Sequence, residues 1–213
     1  MSIPIPSHLR SIAFAPEEKR GNLGFQLKCS CGSEHFRFYK GAVEPTPEEK
    51  KIEDEFNLFL KRCGPRSYSF ITDDEGRSVA CRKNLLGKIV DSALLPTAVY
   101  PEIYRVKCVS CHASHTVFDT RYHGYDAVAS LIENGEPTPT HEGAFDFTEL
   151  SPMGSPYSVT VVIENDPTLE DFHENAIPEA TEEQYSDAYS WITVIGIPSG
   201  GGKQVTFLDI ETA

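Results

Sequence analysis

Two close-spaced cysteine pairs lead the residues able to do chemistry: Cys29-Ser30-Cys31 and Cys108-Val109-Ser110-Cys111. Zinc takes four soft or borderline ligands in a tetrahedron, and thiolates two or three positions apart on a turn can both face one ion. Each pair follows a strand candidate (Leu27-Lys28; Val106-Lys107) and precedes another (residues 35–39; 115–118). The pattern predicts one structural Zn2+ held by Cys29, Cys31, Cys108 and Cys111. Unliganded buried or redox-active thiols are the alternative. Cys108-Val109-Ser110-Cys111-His112 also satisfies C-x-x-C-H, the c-type haem pattern. Covalent haem would leave the first pair unexplained, and besides Met1 the chain offers only Met153 as a distal methionine. His112 and His115 follow the second pair and are candidates to replace a cysteine ligand. Cys63 and Cys81 fit simple burial.

Paired in this way, the cysteines resemble a zinc ribbon, in which two knuckle hairpins share one metal. The resemblance covers residues 25–40 and 103–119, and Cys31-Gly32 matches the usual Cys-Gly end of a knuckle. It implies a structural zinc and paired antiparallel hairpins. The first pair is spaced C-x-C where C-x-x-C is commoner. The second has His112 where the glycine belongs, and 76 residues separate the pairs. A helix and a hairpin are therefore inserted between the knuckles, at small entropic cost.

The densest polar-aromatic run is Asp119-Thr120-Arg121-Tyr122-His123-Gly124-Tyr125-Asp126. Asp119, Arg121, His123 and Asp126 are the catalytic candidates, with Asp119 and His123 as a carboxylate–imidazole pair for acid–base work. The structural reading gives Asp126 to helix capping, Gly124 to a turn and Arg121 to an ion pair with Asp119. The Gly200-Gly201-Gly202-Lys203 run is not a phosphate loop. Ile197 stands where a glycine is needed, Gln204 where Ser or Thr is needed, and strand-like residues follow.

The elements that must position these residues read as α+β, with mainly antiparallel strands, a zinc-ribbon-like pair of hairpins and a few short helices. Residues 1–21 read as an irregular N-terminal arm. Residues 22–134 read as a zinc-knuckle domain with an inserted helix and hairpin. In that insertion, Thr46-Pro47-Glu48-Glu49 is a capping box. It opens a helix whose apolar stripe runs Ile52, Phe56, Phe59, Leu60, Cys63, with Gly64-Pro65 as its stop. A hairpin around residues 73–76 follows, then an ambiguous stretch over 85–95. A short helix begins near Asp126 and stops at Gly135. Residues 135–156 read as a linker or long loop. Residues 157–213 read as an acidic strand–helix–hairpin unit packed on the first, with a capping box at Thr181-Glu182-Glu183-Gln184.

Charge is segregated. Residues 1–121 carry 18 Lys/Arg and 15 Asp/Glu, whereas residues 122–213 carry 17 Asp/Glu and one base, Lys203, within a net charge of −13. Such a field repels nucleic acid and speeds encounter with a basic protein. No stretch approaches the roughly 18 apolar residues of a membrane span. The N-terminus, with prolines at 4 and 6, reads as neither signal nor anchor, which places the cysteines in a reducing cytoplasm. The expected function is a zinc-stabilised, non-enzymatic binding protein whose acidic half docks a basic partner, such as an immunity-type inhibitor of a nuclease toxin. The alternatives are an enzyme using residues 119–126 and a nucleic-acid-associated zinc ribbon using Arg37, Lys40, Arg105 and Lys107.

Overall fold

The computed structural model describes residues 4–63, 68–96, 100–135, 145–164 and 182–212. The Gly64-Pro65 stop, residues 136–144, most of the acidic connection and Thr181 lie outside these. The chain divides into two compact units: Met1–Val43 with Pro101–Ala213, and Glu44–Tyr100. Antiparallel β structure dominates the larger unit, as the alternating sequence predicts, while the smaller unit sets one helix beside three antiparallel strands. Among the described residues, no helix is long and apolar enough to cross a membrane.

The larger unit holds a nine-stranded sheet in the order β1-β2-β10-β3-β7-β8, with β11 pairing β10 and β12, and β9 pairing β3. Its strands are β1 (Ala13–Lys19), β2 (Asn22–Leu27), β3 (Phe36–Ala42), β7 (Glu102–Cys108), β8 (Ser114–Asp119), β9 (Asp146–Glu149), β10 (Tyr157–Glu164), β11 (Trp191–Pro198) and β12 (Val205–Glu211). Alternation is clearest in β10 and β11, where every second residue is buried through most of the strand. Those inward side chains join Phe25, Phe36, Phe38, Val106 and Phe118 in one core.

Two stretches differ from expectation. Residues 13–19 are strand β1, not irregular arm. All but the first of its residues are exposed, and a register shift between Phe14 and Glu17 takes up Pro16. An exposed edge strand tolerates proline and needs no apolar alternation, so its residues read as loop. A two-residue turn, Arg20-Gly21, closes the hairpin with both φ angles positive, at 54° and 82°. Likewise, part of 135–156 is no loop. Residues 146–149 form β9 along β3, and the buried Ser151 hydroxyl accepts the Phe38 amide at 2.8 Å.

The smaller unit packs helix α1 (Pro47–Cys63) with a three-stranded sheet of β4 (Ser69–Thr72), β5 (Ser78–Lys83) and β6 (Ile89–Leu94). The capping box forms: Glu49 Oε2 accepts the Thr46 amide at 2.7 Å, and Thr46 Oγ1 accepts the Glu49 amide at 3.3 Å. Phe59 and Cys63, from the predicted stripe, bury against Ala80. The ambiguous 85–95 stretch supplies β6. Its turn repeats the β4–β5 turn, with Asn84 Oδ1 accepting the Leu86 and Lys88 amides as Asp73 Oδ1 accepts those of Glu75 and Arg77. Leu85 and Leu86 sit exposed at its tip, where their apolar character hides the turn from a periodicity argument.

Candidate metal centre

Strand register brings the two cysteine turns together. β3 pairs with β7 so that Phe36 faces Cys108. The strand leaving the first turn therefore lies beside the strand entering the second. The Val109 amide donates to the His35 carbonyl at 3.1 Å and stitches the turns directly. Each turn closes on itself. The Cys29 amide donates to Ser33 O and that of Gly32 to Cys29 O, both at 2.8 Å. In the second turn, Cys108 donates to Ala113 O at 2.9 Å and His112 to Cys108 O at 3.1 Å. The residue after each second cysteine takes positive φ: Gly32 at 88° and His112 at 61°.

The four sulfurs of Cys29, Cys31, Cys108 and Cys111 lie within 4.8 Å of one another. Cys29 and Cys111 approach to 3.5 Å, and Cys31 and Cys108 to 3.6 Å. A tetrahedron with Zn–S bonds near 2.3 Å has edges of about 3.8 Å, so the cluster fits such an ion. Cys29 and Cys108 are buried, while Cys31 and Cys111 reach solvent. Four thiolates fill a tetrahedron and leave no position for a substrate or reactive water. Burial raises the Cys108 thiol, but the Cys111 and Ser110 amides outweigh it and bring the group down to about 6. The Ala113 amide lowers Cys111, yet its sulfur neighbours push it up to about 12. Sulfurs packed this closely resist ionising together until a cation balances them.

Neither histidine is needed to complete the set. His115 Nε2 stands 3.7 Å from Cys29 Sγ, and burial lowers its pKa. It sits beside Cys29, while His112 lines a pocket next to the second cysteine turn.

The 119–126 run is put to architectural use. The buried Asp119 carboxylate takes Arg121 in a two-pronged pair, Nε at 3.0 Å and Nη2 at 2.8 Å. His123 Nδ1 accepts the Asp119 backbone amide at 2.9 Å, which fixes the Nε2–H tautomer. The carboxylate and the imidazole are thus engaged with other groups rather than with each other. Asp126 does not cap helix α2 (Tyr125–Asn134): Gly124 is the N-cap, and Asp126 sits in the first turn. The helix's leading amides are taken from a distance, Tyr125 by Tyr189 O and Asp126 by Thr212 O, both at 3.0 Å. Gly124 has φ 92°, and a Cβ there would meet Thr212 Cβ at 2.5 Å. The predicted stop at Gly135 holds, with φ 72° and its amide on Leu131 O.

A second polar cluster had no local signal in sequence. His8 stacks on His123 with ring centroids 3.6 Å apart. Its Nε2 donates to Val117 O at 3.0 Å, and its Nδ1 lies 3.2 Å from Asp187 Oδ1, on the short helix α3 (Glu182–Asp187). Both nitrogens lie against oxygen atoms. Burial raises the Asp187 carboxyl, but bonds from His8 and Ser7 hold it below its ordinary value. Burial, and then His8, push the His123 imidazole down to about 3, against the pull of Asp187 and Asp119.

These features define a mainly antiparallel β protein carrying a four-cysteine group suited to a metal ion such as zinc. No family model, curated protein or solved structure matches the chain.

Proposed function

We propose that the chain is a non-enzymatic binding protein whose sheet is pinned by one structural zinc at Cys29, Cys31, Cys108 and Cys111. The observation that carries this reading is the convergence of four sulfurs from two distant turns. An all-thiolate shell is closed, which favours a structural over a catalytic metal. Free thiols as ligands suit a reducing, cytoplasmic setting. In this reading the acid-rich segment after residue 122 docks a basic protein, in its concrete form the cationic cleft of a nuclease toxin. Charge complementarity of that kind raises association rates and makes binding salt-sensitive.

Two measurements test it. Elemental analysis of purified protein should find one zinc per chain, lost when any of the four cysteines becomes serine. A metal-free protein of unchanged stability ends the structural-zinc reading. Affinity for a cationic nuclease toxin domain should fall at least about tenfold between roughly 50 and 300 mM salt. Salt-insensitive binding removes the docking reading. His123→Ala should leave that affinity intact, whereas an enzyme built on the 119–126 loop would lose turnover.

A further inference from the structure

Beside the second cysteine turn lies a cavity of about 220 Å³ lined by Arg37, Tyr39, Lys107, Cys108, Val109 and His112. Arg37 and Lys107 are register partners on β3 and β7, so their side chains leave the same face of the sheet, with Tyr39 two residues along. Among the described residues, the Lys107 and His112 side chains have no hydrogen-bond or ion-pair partner. Among those same residues Arg37 has only a long pair, 3.6 Å to Glu149 Oε2, the atom that also accepts the Tyr39 hydroxyl at 3.2 Å. Glu149 Oε1 is buried without a partner among the described residues.

His112 adds a second, independent observation. It occupies a left-handed position, φ 61°, that the matching Gly32 fills at 88°. Glycine meets that conformation without the clash an L side chain incurs. The chain keeps a side chain at a position where it strains the turn, and that side chain lines the cationic cavity. Such strain recurs where a side chain is held for binding. Offsetting thiolate charge is the competing role for these cations, yet neither Arg37 nor Lys107 hydrogen-bonds a sulfur among the described residues.

The geometry points to this cavity as a binding site for a phosphate-type oxyanion, with Arg37 and Lys107 balancing its charge, His112 contacting it, and Glu149 as the counter-charge it displaces. Charge-assisted bonds from paired cations are the strong ones for such a group. The site uses Arg37 and Lys107 on β3 and β7 and stands independently of the acidic docking reading.

The test titrates zinc-loaded full-length protein with inorganic phosphate and, separately, with a short single-stranded oligonucleotide lacking terminal phosphates. Arg37→Ala and Lys107→Ala should each weaken phosphate binding about tenfold or more. Lys203→Ala, which removes a charge from the β11–β12 turn, should change it less than about twofold. Glu149→Gln should strengthen binding. His112→Gly should raise Tm, because glycine relieves the turn, while weakening binding. A phosphate response with none from the oligonucleotide assigns the site to free phosphate or a monoester. A tighter oligonucleotide response, lost in the same variants, assigns it to a phosphodiester backbone. The proposal is overturned if neither probe binds, if binding ignores Arg37 and Lys107, or if the variants alter zinc retention and leave phosphate affinity unchanged.

Discussion

Cys29 and Cys108 are buried and Cys31 and Cys111 exposed, so the four sulfurs differ in what surrounds them though not in what they do together. Losing one ligand opens the shell and frees the turns it joins. Cys108→Ser is expected to abolish zinc retention and to lower stability by on the order of 4 kcal/mol, read from denaturant midpoints. His123 makes a separate prediction about pH. Its folded pKa, about 3, lies below the ordinary 6.5. Between those values the unfolded chain binds a proton that the folded chain refuses, so stability falls as pH falls through that window. The slope should be roughly 1.4 kcal/mol per pH unit below 6.5 and should flatten in His123→Asn. Urea titrations at intervals from pH 7 to 5 keep clear of most carboxylates. An unchanged slope in the variant would show that the His8–His123 stack is not its source.

At the scale of elements, local chemistry is legible where it acts through neighbours in sequence. The Thr46–Glu49 box starts α1 as read, and Thr46→Ala should cost about 1 kcal/mol in the full chain. Gly135 stops α2 as read. Strand β1 escaped because an edge strand needs neither alternation nor burial, and β6 because Leu85 and Leu86 disguise its turn. Since both leucines are exposed, Leu85→Ser should leave Tm within about a degree of wild type. A larger loss would mean that this tip is covered. The start of α2 falls where it is read, but its cap is Gly124 rather than Asp126. Its amides are satisfied by carbonyls of Tyr189 and Thr212, far along the chain, and no side-chain cap is required.

For the whole molecule, the β3–β7 register and the Val109–His35 bond are what make two cysteine pairs into one site. A metal held there would tie together parts of the nine-stranded sheet that the sequence holds 76 residues apart. Stripping zinc with a strong chelator should lower Tm by many degrees and expose core residues of the larger unit to hydrogen exchange. Unchanged exchange in β3 and β7 would separate the cluster from the stability of the sheet.

The spacing of Cys29, Cys31, Cys108 and Cys111 announced one metal group because ligand geometry on a turn depends on residues only two or three apart. The same locality made the capping box and the alternating strands readable. Only tertiary structure could seat His8 on His123 and set His112 against Arg37 and Lys107. Those contacts join residues by sheet register and by closure of distant segments, and neither leaves a period or a spacing in the chain.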